Sequence, residues 1–126
     1  MLRVHPTAFM QAAVAGLLSL LMVSAVWATD EITNAEIEHL ISSVGASGCT
    51  FVRNGKRYSA SAAEDHLRLK YRKASKYADT AEHFVERLAS KSSWTGKPYF
   101  IECPDSAPVP SADWLMNALQ SYRDAS

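Results

Sequence analysis

Hydrophobic positions recur along the chain at the spacing of amphipathic helices. From Ile37 to Val44, for example, apolar side chains fall on a single helical face. These stripes predict four helices, over about residues 34–44, 62–77 and 80–89, and from Ser111 onward. Their starts carry residue types that cap helices: capping boxes begin at Thr33, Ser61 and Asp79, and Ser111 can cap the last helix.

Between the first two helices, the pattern changes to one typical of a β-hairpin. The segment CTFVRNGKRYS begins with β-forming residues, and its Asn54-Gly55 pair favours a two-residue turn because both residues accept positive φ. A turn there would place Phe51 opposite Tyr58 and Arg53 opposite Lys56. A later strand is predicted over about residues 98–103, before a proline-rich connection.

The N-terminus has the pattern of an export signal. Arg3 precedes an uncharged, largely apolar run, which ends in small residues at Val26 and Ala28. We therefore predict a signal peptide over residues 1–28, cleaved between Ala28 and Thr29. The alternative is an uncleaved anchor, because the uncharged run is long enough to cross a bilayer. After cleavage, residues 29–126 would form a single small domain that contacts the membrane only during export.

The charge balance argues against nucleic acid as a partner. The chain has 13 basic and 13 acidic residues, and loss of Arg3 takes the formal charge from 0 to −1. Nucleic-acid-binding domains are usually strongly basic. No phosphate-loop or other cofactor motif is present, so we expect no cofactor.

Two cysteines, Cys49 and Cys103, remain after the leader. In an oxidising compartment, such a pair is expected to form a disulfide, worth roughly 4 kcal/mol for a loop of this length. If these two strands are neighbours, the bond requires antiparallel pairing, because Cys49 lies at the start of one strand and Cys103 at the end of the other. The predicted fold is α+β: a two- or three-stranded antiparallel sheet packed with about four helices.

Several short motifs resemble the YfeK-like family of small bacterial periplasmic proteins of unknown function. They lie between about Thr50 and Ile101 and include Phe51-x-Arg53-Asn54-Gly55, His66-Leu67-x-x-Lys70, Thr80-Ala81-Glu82 and Gly96-Lys97-Pro98-Tyr99. The resemblance implies export to the periplasm. It brings no activity, cofactor or catalytic residue.

Clustered cations form the main candidate binding surface, on the hairpin and the second helix. An anionic envelope component or an acidic periplasmic protein would suit such a surface. The alternative is a solvated helix face, balanced by nearby carboxylates. The candidate residues are Arg53, Lys56, Arg57, Tyr58, Arg68, Lys70, Arg72, Lys73 and Lys76.

His66 is the candidate for catalysis, but no nucleophile motif accompanies it, and adjacent Asp65 points to a different helical azimuth. A half-buried histidine that hydrogen-bonds near the hairpin is the simpler interpretation. His39, His66 and His83 lie on three separate predicted helices without paired ligand spacing, so no metal site is expected. Trp94 and Trp114 are expected to be core residues or lids over the sheet.

Three functional hypotheses follow from these patterns. The first is a non-catalytic binding or accessory protein of the periplasm that uses the basic surface. The second is a small hydrolase or transferase centred on His66. The third is a structural protein held in the membrane by an uncleaved N-terminal helix.

Overall fold

The computed structural model describes residues 30–126, of which Thr33–Ser126 forms one compact unit. The predicted signal peptide and its cleavage point between Ala28 and Thr29 lie outside these residues. The helices are α1 (30–46), α2 (Ala60–Ala74), α3 (Ala81–Phe84) and α4 (Ser111–Asp124), and the strands are β1 (Thr50–Arg53), β2 (Lys56–Tyr58), β3 (Phe100–Glu102) and β4 (Val109–Pro110). None of the helices formed by residues 30–126 combines the length and apolarity needed to span a membrane.

The four strands form one antiparallel sheet in the order β2-β1-β3-β4. The α+β class is therefore confirmed, but the sheet has four strands instead of two or three. The additional strand is β4, which lies in the proline-rich connection. A proline is tolerated there because β4 is at the edge of the sheet, where the missing N–H of Pro110 interrupts no ladder.

The hairpin has the predicted register. Phe51 pairs with Tyr58, and Arg53 pairs with Lys56. At the turn, φ is 51° for Asn54 and 75° for Gly55. Both values are in the left-handed region, which is why this residue pair favours a two-residue turn.

The predicted disulfide joins Cys49 to Cys103, whose α-carbons are 4.2 Å apart. β1 and β3 are antiparallel, with Thr50 opposite Glu102, so the start of one strand lies beside the end of the other. The inference of antiparallel strands from the cysteine positions is confirmed.

The core lies between the helices and one face of the sheet. Phe51 and Ile101 are paired across β1 and β3 and are almost fully buried, as is Tyr99 just before β3. The apolar stripes predicted for the helices supply the other large side chains. The fully buried ones include Ile37, Leu40, Ile41, Val44, Leu67, Phe84, Leu115 and Leu119.

The helix starts differ from the predicted caps. Ser59, not Ser61, caps α2: its backbone is extended and its hydroxyl accepts from the amide of Ala62 at 3.1 Å. The chain passes directly from β2 into this cap, so Ser61 is already inside the helix. Likewise Thr80, not Asp79, caps α3 by accepting from the amide of His83 at 3.0 Å.

Two further cap predictions are wrong. Thr33 lies within the helical residues 30–46 and therefore is not an N-cap. At α4 the cap position is taken by Pro110, and Ser111 is buried, donating its hydroxyl proton to the carbonyl of Ala89 at 2.8 Å. Ser111 thus links α4 to the preceding helical segment.

The predicted second and third helices are each divided in the structure. α2 ends at Ala74 and is followed by a 3₁₀ turn over Ser75–Tyr77. α3 continues after Phe84 as a π-helical turn over Val85–Ala89. Hydrophobic periodicity does not distinguish these tighter or wider turns from an α-helix, because they shift the apolar face by only a fraction of a turn.

Candidate functional site

A cavity of about 390 Å³ opens where the hairpin, α2 and the turn after the π-helical segment meet. Polar and aromatic groups from all three elements line it. They are Arg53, Asn54, His66, Lys70, Ser92, Ser93, Trp94 and Tyr99.

Arg53 and His66 lie in direct contact at this cavity. Nη1 of Arg53 is 2.7 Å from each ring nitrogen of His66, and Nη2 donates to the hydroxyl of Tyr58 at 3.0 Å. Because the guanidinium only donates, the imidazole must accept through an unprotonated nitrogen. Burial, followed by the charges of Arg53 and Lys70, lowers the pKa of His66 to about 4. His66 is therefore neutral at pH 7.

Lys70 lies one helical turn after His66 and points to the same cavity. Its Nζ donates weakly, to the hydroxyl of Tyr99 at 3.3 Å and to the carbonyl of Lys91 at 3.4 Å. Burial, and then the charge of Arg53, lowers the pKa of Lys70 to about 8. Desolvation thus already disfavours the positive charge on this amine, and a nearby anion would favour it.

Within residues 30–126, no carboxylate forms a salt bridge with Arg53 or Lys70. The salt bridges within 4.0 Å there are all made by other side chains. A guanidinium also carries more N–H donors than the contacts of Arg53 to His66 and Tyr58 use. The cavity therefore presents two positive groups whose hydrogen-bonding capacity is only partly filled.

A clasp, formed by Asn54, Ser92 and Thr95, holds the rim of the cavity. Asn54 donates to the Ser92 hydroxyl at 3.3 Å and accepts from the Thr95 hydroxyl at 2.6 Å. The Ser92 oxygen also accepts from the backbone amides of Trp94 and Thr95, each at 3.3 Å. The hairpin turn thereby fixes the loop that carries Trp94.

Trp94 is 94% exposed, so the first of the two roles expected for it, that of a core residue, is wrong. Hydrogen bonds to the Ser92 hydroxyl hold the polar turn around it, and Trp94 extends into solvent. Trp114 does pack against the core, as expected.

The structure divides the nine predicted binding residues into separate groups. Arg53 and Lys70 line the cavity, and Tyr58 contacts Arg53 there. Two of the remaining cations are paired: Arg57 with Glu102 at 2.9 Å, and Arg68 with Glu38 at 2.5 Å. Lys56 lies over the ring of Tyr58, and Arg72, Lys73 and Lys76 are exposed on and just after α2.

This division follows from the geometry of α2. His66 and Lys70 are four residues apart and share one face with Lys73, whereas Arg68 and Arg72 project from a different side. The spacing along the helix separates these two faces, but it does not show which of them meets the hairpin. It also gives no signal for Asn54, Ser92, Trp94 and Tyr99 as cavity residues, because their turns meet α2 only in the folded chain.

The arrangement has few of the parts that catalysis needs. His66 faces a guanidinium instead of a carboxylate that would orient the ring and stabilise the imidazolium formed when a histidine acts as general base. Residues 30–126 also contain no cluster of three or more His, Cys, Asp or Glu side chains that could hold a metal. His39 instead stacks on Tyr122, and His83 contacts Asp79.

Comparison with known proteins relates the chain to others without a known role. A model described as a family of unknown function (DUF5329) matches residues 31–123. The chain is also 52% identical over 50 residues to the uncharacterized protein YfeK of Salmonella typhimurium (strain LT2). That match covers 40% of this chain and 42% of the relative, so it spans less than half of either protein. No solved structure matches.

Proposed function

This chain belongs to the DUF5329 family of unknown function, and from that premise we propose that it is a non-catalytic, anion-binding accessory protein of the cell envelope. Its binding site in this proposal is the cavity formed by Arg53, His66 and Lys70.

One observation carries the proposal: Arg53 and Lys70 face the same cavity without a carboxylate partner among residues 30–126. Two unpaired cations close together repel each other, and this repulsion contributes to the lowered pKa of Lys70. A bound anion would relieve the repulsion and accept hydrogen bonds from both side chains. Arginine is well suited to this role because it can bind carboxylate or phosphate oxygens in pairs.

His66 supports binding better than catalysis. Its neutral ring accepts from Arg53 and so fixes the guanidinium at the cavity without adding a third charge. A hydrolase centred on His66 would require the imidazole to take up a proton in the reaction, and the neighbouring cations oppose that.

The proposed location is the periplasm, after cleavage between Ala28 and Thr29. The charged start and apolar run of residues 1–28 support export, and the Cys49–Cys103 pairing suits an oxidising compartment. N-terminal sequencing of the protein made in cells tests this. A chain that begins at Thr29 agrees with the proposal, and one that begins at Met1 contradicts it and supports an anchored protein.

Binding can be tested by calorimetric titration with inorganic phosphate, using protein purified from the cells that make it. We expect saturable binding that weakens at least tenfold in both Arg53→Gln and Lys70→Gln. Arg72→Gln is the matched control, because Arg72 is exposed on another side of the same helix. Circular dichroism checks that each variant is folded. Undetectable phosphate binding, or equal loss in the control, would refute the proposal.

A further inference from the structure

The exposed indole of Trp94 lies at the rim of the cavity that contains Arg53 and Lys70. We propose that the ligand of this site is an anionic sugar, whose carboxylate or phosphate group binds the two cations while its ring packs on Trp94. This inference rests on the proposed anion-binding function and names the class of ligand.

The position of Trp94 is not explained by packing, since 94% of the side chain is exposed. Exposing an indole forgoes the stabilisation of burying a large aromatic surface. The clasp formed by Asn54, Ser92 and Thr95 nevertheless fixes the loop on both sides of it. Because the backbone of the loop is already held, Trp94 can contact a ligand with little further loss of backbone entropy.

The other lining groups suit a polyhydroxylated molecule. Asn54, Ser93 and Tyr99 bring amide and hydroxyl groups, which both donate and accept hydrogen bonds, as sugar hydroxyls do. A volume of about 390 Å³ is within the size range of small-molecule sites. The site thus combines a cationic part, a polar part and one exposed aromatic residue, Trp94.

Trp94 is the exposed aromatic residue of this lining, which favours a sugar over a nucleobase. Tyr99 also lines the cavity, but it is buried and its ring packs against Phe51, so a nucleobase would stack on one face only. An anionic membrane would meet the indole and exposed lysines but would leave the recessed Arg53 and Lys70 unused. The titrations below distinguish a sugar from both of these ligands.

The test compares ligands that share an anion but differ in the sugar. Calorimetric titrations would use glucose 6-phosphate against inorganic phosphate, and glucuronate against acetate. We expect at least one sugar to bind about tenfold more tightly than its matched anion, and Trp94→Ala to abolish that gain while inorganic phosphate binding persists. The sugar with the larger gain identifies the anionic group. Trp114→Phe, at the half-buried tryptophan, should retain the gain.

The other outcomes separate this inference from the proposed function. Equal affinity for phosphate and glucose 6-phosphate, with no gain for glucuronate over acetate, would contradict a sugar ligand but would still agree with an anion site. A gain that survives Trp94→Ala would also overturn it. Tighter binding of uridine monophosphate than of either sugar, or Trp94-dependent binding to anionic phosphatidylglycerol vesicles alone, would assign another ligand class. If none of these anions binds, both proposals fail.

Discussion

The guanidinium of Arg53 donates to the imidazole of His66 across 2.7 Å, so an arginine on the hairpin and a histidine on α2 form one unit. The contact requires a neutral ring, and this makes the folded state sensitive to protonation of His66. It also directs Arg53 to the cavity that Lys70 shares.

Acid should destabilise the protein through His66. The ordinary pKa of 6.5 applies to the unfolded chain, whereas the folded pKa is about 4. Between these values the unfolded chain binds more protons, so stability is lost as the pH falls from about 6.5 toward 4. Urea unfolding at pH 7 and 5 should show a loss on the order of 1–2 kcal/mol, reduced for solvent screening.

His66→Gln should remove this part of the pH dependence, because glutamine accepts from Arg53 but does not titrate. His39→Gln, at a histidine outside the cavity, serves as the control and should retain the full pH dependence of stability. If His66→Gln and the unmodified protein lose the same unfolding free energy between pH 7 and 5, His66 is not responsible for the loss.

Anion binding should weaken in alkaline solution because it requires protonated Lys70. With a pKa of about 8 in the unliganded protein, Lys70 is charged at pH 7 and loses its charge as the pH rises above 8. Titrations with sulfate, whose charge is constant in this range, should show an affinity that falls between pH 8 and 9.5. Lys70→Arg should keep its affinity there, since arginine remains protonated. A flat profile for the unmodified protein would contradict a role for Lys70.

Asn54 has two roles that substitution can separate. Asn54→Gly keeps the positive φ of the turn but removes the side chain that holds Ser92 and Thr95. We expect hydrogen exchange of the Trp94 and Thr95 amides to accelerate about tenfold, because the clasp no longer positions their acceptor.

Gly55→Ala is the complementary variant. A Cβ added at Gly55 would have no atom within 4 Å, so it would not clash. The substitution should lower the free energy of unfolding by about 1 kcal/mol, because alanine disfavours a φ of 75°. This variant should lower global stability without a selective effect on the Trp94 loop. Equal exchange in Asn54→Gly and the unmodified protein would mean that the clasp does not hold the loop.

Arg123 links α4 to two other helices. It donates to the buried carboxylate of Glu36 at 2.6 Å and to Glu82 at 2.9 Å. Arg123→Gln leaves the Glu36 charge buried without its partner, and we expect unfolding free energy to fall by about 2–3 kcal/mol. Glu36→Gln in the same chain should recover part of that loss. Arg87→Gln, at an exposed arginine, should cost less than about 0.5 kcal/mol. If Arg123→Gln also costs less than about 0.5 kcal/mol, Arg123 does not hold the buried Glu36 charge.

The sequence predicted features that depend on local chemistry. Asn54-Gly55 determined the hairpin register because few residue pairs tolerate its backbone conformation, and Cys49 with Cys103 implied how β1 and β3 are arranged. The apolar stripe from Ile37 to Val44 marked a core face. The half-buried, hydrogen-bonded state preferred for His66 is also what the structure shows.

Features that depend on distant contacts were not predictable. Ser111 carries a good capping side chain, yet its hydroxyl bonds to Ala89 because the two segments meet in the folded chain. Arg123 is 87 residues from Glu36, and no spacing signals that pair. The basic residues of α2 were predicted to form one binding surface with the hairpin. In the structure they lie on different faces of the helix, and Arg68 is paired with Glu38.

Whether Arg53 and Lys70 form an anion site can be measured by NMR of their side-chain nitrogens. During titration with inorganic phosphate, we expect saturable shifts of the Arg53 guanidinium and Lys70 ammonium resonances, with a common dissociation constant. Arg72, which is exposed on another side of the same helix, and Lys76, which is exposed beyond its end, should shift little. Equal, unsaturable shifts of all four side chains would show only general ionic attraction and would contradict the site.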